Sequence, residues 1–222
     1  MRVIVQLVIV VMVAPFIPMI VSGQWGWWQA WAYAVVSILS FVISRIIVNR
    51  RHPDLIKERA RFMQAKDTKP WDKILAPLLG LGSILILIVA GVDKPTWTPA
   101  SSLIWNLAAL FGILLGYGFS SWALIENRFF SGTVRIQTER GHHVVSTGPY
   151  RIIRHPGYAG GLFGYLFIPL LLNSLWAFIP VVLLMIVMVV RTALEDKTLQ
   201  EELPGYKEYA QKTRYRLLPG IW

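Results

Sequence analysis

The sequence predicts an all-α integral membrane protein of about six transmembrane helices, with a short C-terminal helical hairpin and a cytoplasmic pocket. Of the 222 residues, 55% are hydrophobic and only 15% are charged, too few to cover the surface of a soluble domain. Long uncharged runs alternate with basic loops, as in multi-pass membrane proteins. The cluster of Trp25, Trp27, Trp28 and Trp31 is typical of the aromatic belt at a membrane interface.

Six apolar runs follow one another along the chain. The first, residues 3–21, is uncharged and as long as the ~20 residues that a helix needs to cross a bilayer. Pro15 and Pro18 would kink this helix, which membrane helices tolerate. The alternative is a signal peptide formed by Arg2, this run and Ser22-Gly23, although the apolar part is long for one. The other runs cover residues 25–48, 74–92, 103–125, 158–172 and 175–190.

The last two apolar runs are shorter than the ~20 residues of a full crossing. Only Asn173 and Ser174 separate them, which predicts a tight helical hairpin. Pairs of small residues four positions apart favour close helix packing, with direct contact between the backbone and a ligand as the alternative. The first helix of the hairpin carries two such overlapping pairs, formed by Gly157, Gly160, Gly161 and Gly164.

Basic residues are concentrated in alternate loops. Residues 45–73 contain nine Lys or Arg against four acids, residues 126–156 five Arg against two acids, and residues 191–222 six basic residues against five acids. In the loops on the other side of the membrane, the charges of Asp93 and Lys94 cancel each other. Because Lys and Arg accumulate on the cytoplasmic side, both termini are expected in the cytoplasm, at the inner membrane if the protein is bacterial. The net charge of +10 therefore reflects topology, and no nucleic acid partner is expected.

We expect a single domain over residues 1–222, without internal repeats. Residues 1–125 would supply four N-terminal transmembrane helices, and residues 126–222 the functional part. Within that part, residues 137–158 (QTERGHHVVSTGPYRIIRHPGY) form the longest polar run and contain three of the four histidines. Their position between apolar runs predicts that they form the mouth of a site at the membrane surface.

Two pairs of charged residues have more than one interpretation. Arg151 and Arg154 could contact lipid headgroups or a ligand, and the residues alone leave both open. Arg191 and Glu195 are four positions apart and share one face of the helix that leaves the bilayer. They could form a weak intrahelical salt bridge, but a binding pair is favoured. An arginine can hold a carboxylate through two hydrogen bonds, and a glutamate can offset a cationic ligand.

Several kinds of site are excluded by residue type or spacing. The chain has no cysteine, and hence no thiolate nucleophile or thiolate metal ligand. His142 and His143 are adjacent and point apart, and His155 has no partner at ligand spacing, so no metal is expected. A GxxxxGK[ST] loop is absent, and Gly80-x-Gly82 lacks the third glycine of a dinucleotide-binding loop. There is no GxSxG nucleophile elbow either.

Three motifs together resemble one enzyme family. GPYRIIRHPGYAG, the R-x3-E-D spacing that starts at Arg191, and the final ELPGYKEYAQKTRYRLLPGIW are similar to the isoprenylcysteine carboxyl methyltransferases and the related phospholipid methyltransferases. The similarity covers residues 124–222, is looser over residues 50–61, and is limited to apolar character in the first helices. It implies an S-adenosyl-L-methionine-dependent methyltransferase whose cofactor lies between the segment before the hairpin and the C-terminal helix.

The resemblance also implies roles for individual residues. Arg191 matches the family's substrate-binding arginine and, with Glu195, is a candidate catalytic residue. Two positions depart from the family: the spacing from Gln137 to His142 is shorter than in the eukaryotic prenylcysteine enzymes, and Asp196 stands where a longer glutamate is usual. The implied cofactor-binding residues are Gln137, His142, His143, Val144, Val145, Tyr150, Arg154, His155, Pro156, Gly157, Tyr158, Glu195 and Asp196.

The chemistry of methyl transfer limits which chemical groups can be the methyl acceptor. Transfer from a sulfonium requires an in-line approach, exclusion of water and complementary charge. A desolvated carboxylate is already nucleophilic, whereas an amine must lose a proton and no side chain is an obvious base. We therefore expect a lipophilic acceptor, favouring the carboxylate of an isoprenylcysteine-like molecule. The alternatives are N-methylation of a phospholipid amine with Arg191 on the phosphate, a sterol-reductase-like NADPH enzyme, for which the chain is short, and a non-catalytic scaffold that binds anionic lipid.

Overall fold

The computed structural model describes residues 12–60, 67–93 and 102–222. Within these ranges the chain is helical and contains no β-strand, which confirms the predicted all-α class. Three short 3₁₀ turns, Ala14–Phe16, Thr138–Arg140 and Gly148–Arg151, accompany the α-helices. The α-helices are α1 (Ile17–Ser22), α2 (Trp28–Arg51), α3 (Pro53–Ala60), α4 (Asp72–Asp93), α5 (Ser102–Glu126), α6 (Pro156–Leu171), α7 (Phe178–Glu202) and α8 (Tyr206–Lys212).

In the described ranges, four helices are long and apolar enough to cross a membrane: α2, α4, α5 and α7. They correspond to four of the six predicted crossings. Most of the first predicted crossing, residues 3–21, lies outside the described residues, and its described end forms the Ala14–Phe16 turn and α1. The fifth predicted crossing is α6, which is apolar but only 16 residues long.

The C-terminal hairpin exists, and its second helix continues beyond the apolar run, as the placement of Arg191 and Glu195 on one helix predicts. Helix α6 ends at Leu171, and α7 begins at Phe178 and continues for 25 residues to Glu202. The apolar run ends near Val190, whereas the helix continues because the next twelve residues are rich in good helix formers such as Leu, Glu, Lys and Gln. This polar extension of α7 projects beyond the apolar part of the bundle.

Glycines allow α5 and α6 to pack at backbone distance. A Cβ on Gly160 would lie 2.6 Å from the backbone nitrogen of Ser120 and 2.7 Å from the carbonyl oxygen of Gly116. A Cβ on Gly116 would lie 2.6 Å from the nitrogen of Gly164. The predicted close helix packing is therefore confirmed for Gly160 and Gly164, whereas Gly161 faces open space.

The outer surface of the bundle is apolar. Large hydrophobic side chains such as Ile43, Leu81, Ile104 and Ile186 are more than half exposed on the long helices. A surface of this kind is expected where lipid replaces water. Together with the long apolar helices, it identifies an integral membrane protein.

Candidate functional site

A cavity of about 750 Å³, including the part open to solvent, lies where α5 ends, α6 begins and α7 extends beyond its apolar half. The structure brings together eleven of the predicted cofactor-binding residues on its wall: Gln137, His142, His143, Val144, Val145, Tyr150, Arg154, His155, Gly157, Tyr158 and Glu195. The predicted residues Pro156, Asp196 and Arg191 do not line it.

Local sequence explains the path of the chain beside the cavity. Pro149 starts the 3₁₀ turn Gly148–Arg151, and Pro156 occupies the first turn of α6, where a missing backbone N–H costs nothing. Between these turns the chain pairs with the C-terminal tail. The backbone N–H of Arg154 donates to the carbonyl of Tyr215 at 2.9 Å, and that of His155 to the carbonyl of Arg216 at 3.0 Å.

Asp196 is the centre of a buried ion cluster that holds this wall together. Its side chain is fully buried and accepts two hydrogen bonds from Arg154, at 2.6 and 3.0 Å. Arg216 donates to it at 2.9 Å and Tyr206 at 3.2 Å, and His155 Nε2 lies 3.3 Å away. Arg154 is thus buried against protein and not at lipid headgroups, whereas Arg151 is exposed. Asp196 joins the pre-hairpin segment, α7, α8 and the tail.

Arg191 and Glu195 are connected through Tyr158 and form no direct ion pair with each other. Arg191 Nη1 donates to the Tyr158 hydroxyl at 2.5 Å, and this hydroxyl donates to Glu195 Oε2 at 2.5 Å. The guanidinium is also held by Asp72 at 2.7 and 3.1 Å and by the carbonyl of Gly132 at 3.3 Å. Arg191 is therefore buried and nearly saturated, with one N–H left without a hydrogen bond among the described residues.

Glu195 differs from the other acids of the site because its charge is not paired. Within the described ranges, no Lys, Arg or His lies within 4.0 Å of this carboxylate, and Tyr158 is its one hydrogen-bond donor. It is half-buried and faces the cavity. A carboxylate in this setting can accept hydrogen bonds from a cationic ligand without displacing a protein partner.

The segment from Gln137 to His143 surrounds Phe129. The side-chain amide of Gln137 donates to the Phe129 carbonyl at 2.7 Å and accepts from Arg140. The rings of His142 and His143 lie 4.6 and 4.9 Å from the Phe129 ring. His142 Nδ1 accepts from the backbone N–H of Gln137 at 3.3 Å, which fixes its neutral form.

The cationic groups around this segment disfavour the protonated form of His142. Burial, and then the charges of His143, Arg140 and Arg135, lower the pKa of His142 from 6.5 to about 4. The positive charge of Arg135 is itself compensated, since it contacts Glu58 at 2.9 Å, Asp67 at 2.8 Å and Glu139 at 2.5 Å. Its side chain is 7% exposed, so it forms part of the rigid wall.

Several residues that build the site were missed by sequence reasoning. Asp72 is fully buried and fixes Arg191, and its Oδ2 accepts from the backbone N–H of Val134 at 2.6 Å. The one sequence signal was an acid at the entry of an apolar helix, and its partner lies 119 positions away. Aromatic residues add much of the remaining lining. Phe129 and Phe130 belong to no motif, and Tyr206 and Tyr209 belong to the final ELPGYKEYAQKTRYRLLPGIW motif but were given no role.

No group of three or more His, Asp or Glu side chains suited to a metal ion is found in the part of the chain that the structure describes. Apart from Glu195, the acids in contact with the wall, Asp72, Asp196 and those around Arg135, are engaged in the ion pairs given above. Their arrangement suits charge complementarity and exclusion of water more than Lewis-acid chemistry at these residues.

Comparison with known proteins supports the family resemblance. Residues 105–204 match the family model described as phospholipid methyltransferase. The match extends from α5 to just beyond α7 and so includes most of the cavity wall. No curated protein matches the chain significantly. The predicted similarity to the isoprenylcysteine and phospholipid methyltransferases is thereby confirmed, and the match indicates a membrane methyltransferase.

Proposed function

From the family match, which indicates a membrane methyltransferase, we propose that this chain transfers a methyl group from S-adenosyl-L-methionine to a lipophilic acceptor. The observation that carries the proposal is the unpaired carboxylate of Glu195 on the wall of the 750 Å³ cavity. A cofactor with a sulfonium and an ammonium group supplies the positive charge that this carboxylate lacks.

The residues present fit such a cofactor. Phe129, Phe130, Tyr150, Tyr206 and Tyr209 give the cavity aromatic surfaces against which a purine base can stack. Burial raises the pKa of Tyr206, with a further contribution from Asp196, so this hydroxyl stays neutral. S-adenosyl-L-methionine supplies an activated methyl group when bound. The protein's task is then to position it and to exclude water.

A series of hydrogen bonds that links Asp72, Arg191, Tyr158 and Glu195 would position the reacting groups. Asp72 holds Arg191, Arg191 holds the Tyr158 hydroxyl, and this hydroxyl orients Glu195 towards the cavity. Because Arg191 is nearly saturated, we propose that it acts mainly as a positioning residue and offers a single N–H to the acceptor. Asp196, Pro156 and Arg154 would support the site as parts of its wall.

For the acceptor we propose a carboxylate on an apolar chain, such as an isoprenylcysteine-like molecule. A carboxylate needs no base, and the two candidate bases at the start of α6 are engaged: His155 contacts Asp196, and the Tyr158 hydroxyl is engaged on both sides. The second candidate is N-methylation of a phospholipid amine, which the description of the matching family favours. Mass spectrometry of lipid extracts after transfer of a labelled methyl group distinguishes ester from amine products.

We propose that the cavity opens on the cytoplasmic side, where S-adenosyl-L-methionine is available. The basic loops support this orientation, because described residues of the first loop, residues 45–73, contact the cavity wall. The backbone N–H of Lys69 donates to the carbonyl of Val134, and Arg59 donates to the carbonyl of Phe130, both at 3.0 Å. A lipophilic acceptor can then enter sideways from the bilayer.

Cofactor binding to the full chain, purified in detergent, tests the proposal. S-adenosyl-L-methionine and its demethylated product should stabilise the wild type against heat, and NADPH should not. Glu195→Gln should weaken binding of S-adenosyl-L-methionine roughly 10- to 100-fold, the effect of losing one charge-assisted hydrogen bond. Glu201→Gln is the matched control, because Glu201 is an exposed acid on the same helix, 3.9 Å from Lys197.

Each contrary result has a definite meaning. Stabilisation by NADPH alone would replace the methyltransferase proposal with a reductase. No response to either cofactor would favour a lipid-binding scaffold. Equal affinities of wild type and Glu195→Gln would remove Glu195 from the cofactor site.

A further inference from the structure

A second, larger cavity lies inside the helical bundle, bordered by α2, α4, α5 and α6. It contains about 1090 Å³ of empty space, including its open part. Its wall is unusually polar for the interior of an apolar bundle, since six serines from three helices face it: Ser37, Ser40, Ser44, Ser83, Ser120 and Ser121.

Two arginines face this cavity without acidic partners. Among the described residues, neither Arg45 nor Arg59 lies within 4.0 Å of a carboxylate. The Nη1 atom of Arg45 is buried and has no hydrogen-bond partner in the described chain. Arg59 donates through Nη1 to the carbonyls of Phe130 and Ser131, at 3.0 and 3.3 Å, which leaves its other nitrogens available.

Holding these two charged guanidinium groups in a half-buried position is energetically unfavourable. Burial, and then the charge of Arg45, lower the pKa of Arg59 from 12.5 to about 9, so Arg59 is still cationic at neutral pH. Arg45 is expected to be cationic as well, because the guanidinium group does not deprotonate in proteins. Two like charges that share a half-buried cavity repel each other, and an anion between them relieves both the repulsion and the desolvation. The cavity is thus electrostatically incomplete without a negatively charged ligand.

The shape of the cavity suits a ligand with a long apolar chain. Along α2 its wall runs from Tyr33 to Arg45, twelve positions, which is about 18 Å of helix. Arg45 and Arg59 are at the end nearest the cofactor cavity, and apolar residues such as Phe41 and Leu87 lie further along. A charged head would therefore lie at the arginines and a hydrocarbon chain in the bundle.

Phe130 separates the two cavities and lines both. Its ring lies over Gly157, where a Cβ would approach to 2.4 Å, and 6.3 Å from the Tyr158 ring. Arg59 contacts the Phe130 ring at 5.5 Å. A head held by Arg59 would thus be one aromatic ring away from Tyr158, which orients Glu195.

We propose that the second cavity binds a membrane amphiphile whose anionic head, a carboxylate or a phosphate, pairs with Arg45 and Arg59 while its chain lies along α2. These arginines, and not the saturated Arg191, then select the negative charge of the ligand. That this ligand is the methyl acceptor rests on the proposed function. Amphiphile binding itself does not, because it requires no cofactor.

Thermal stabilisation of the purified full chain in an uncharged maltoside detergent tests the proposal. The probes are palmitate, hexadecyl phosphate, methyl palmitate and inorganic phosphate. Palmitate and hexadecyl phosphate should stabilise the wild type, and their half-saturating concentrations should rise at least tenfold in Arg45→Met and Arg59→Met. Methyl palmitate lacks the charge and should bind more weakly and equally to all variants. Arg51→Met is the control, because Arg51 is an exposed arginine on the same helix.

The decisive variant is Arg45→Met, because Arg45 makes no hydrogen bond or ion pair with described residues. Its contact with the Phe41 ring, at 4.8 Å, is one that a methionine side chain can replace, so the fold should persist. If Arg45→Met binds palmitate like the wild type, or methyl palmitate binds as tightly as palmitate, the proposal is overturned. Stabilisation by inorganic phosphate at the same concentrations would replace the amphiphile with a free anion. If the wild type binds palmitate but not S-adenosyl-L-methionine, the proposed function fails while this proposal stands.

Discussion

The fully buried pair of Asp72 and Arg191 anchors the site at the scale of single residues. Its members lie 2.7 Å apart and are 0% and 6% exposed in their side chains. Removing one partner of a buried pair leaves an uncompensated charge, which costs about 3–5 kcal/mol, whereas replacing both partners costs much less. The pair therefore makes the position of Tyr158 and Glu195 depend on a residue at the start of α4.

This pair leads to a prediction on stability. Asp72→Asn should lower the thermal unfolding midpoint by several degrees, and the double variant Asp72→Asn/Arg191→Met should recover part of the loss. Glu201→Gln should leave the midpoint unchanged, because exposed pairs contribute little. Differential scanning fluorimetry of the wild type, Asp72→Asn, Arg191→Met, the double variant and Glu201→Gln measures these effects. A double variant that is as unstable as the sum of the two single variants would contradict the pairing.

His142 leads to a prediction on pH. Its pKa is about 4 in the folded protein, against 6.5 for an unperturbed imidazole, so the unfolded chain binds more protons between these values. Stability should therefore fall as the pH decreases from about 6.5 to 4, and the group should have no effect well above pH 6.5. In His142→Phe this dependence of stability on pH should disappear, and in His52→Gln it should remain. Unfolding midpoints measured every half pH unit show both, and an unchanged slope in His142→Phe would assign it to another group.

The sequence predicted the residues that line the cavity better than the residues that hold them in place. Positions such as His155 and Tyr158 belong to a contiguous motif, and the start of α6 places them together on the wall. Asp72 and Arg216 contact the site from distant parts of the chain, and a single sequence contains no signal for contacts at such separations. Glu195 and Asp196 also look equivalent in sequence, although one faces the cavity and the other is buried among cations.

At the scale of secondary-structure elements, the contact between α5 and α6 determines how the start of α6 meets the site. The two helices approach through Gly116, Gly160 and Gly164, and Gly157 at the end of the same row receives the ring of Phe130. The spacing of small residues made this packing predictable, but not the identity of the partner helix. The length of α7 was not predictable from hydropathy, because its polar half is helical through propensity and through contacts of the buried Arg191 and Asp196.

The glycines of α6 provide a matched pair of substitutions. Gly160→Ala should destabilise the protein by about 1–3 kcal/mol, because the new methyl group meets backbone atoms of α5 that cannot move aside. Gly161→Ala should be neutral or slightly stabilising, since nothing lies within 4 Å and alanine favours a helix. Thermal midpoints of the two variants compare them directly. Equal effects would contradict the α5–α6 interface.

At the scale of the whole molecule, the described parts of the basic loops lie at the cavity end of the bundle. The opposite end collects the turn at Gln24, the end of α4 and the α6–α7 connection, where Ser174 donates to Asp93 at 2.7 Å. Helix α6 is about 24 Å long, less than the ~30 Å of a hydrocarbon core, yet its connection lies beside the end of the 22-residue α4. The short helix is therefore expected to cross the bilayer where the bundle shields its ends from lipid.

Because the chain contains no cysteine, single cysteine substitutions report on this topology without background. Gln24→Cys, Leu175→Cys and Glu201→Cys change exposed residues, the first two at the far end and the third beside the cavity. In sealed vesicles with the cytoplasmic face outward, a membrane-impermeant maleimide should label only Glu201→Cys, and in vesicles of the opposite orientation only the other two. Labelling of Leu175→Cys together with Glu201→Cys would show that α6 re-enters the membrane without crossing it. The proposed orientation would fail if Gln24→Cys were labelled from the cytoplasmic face.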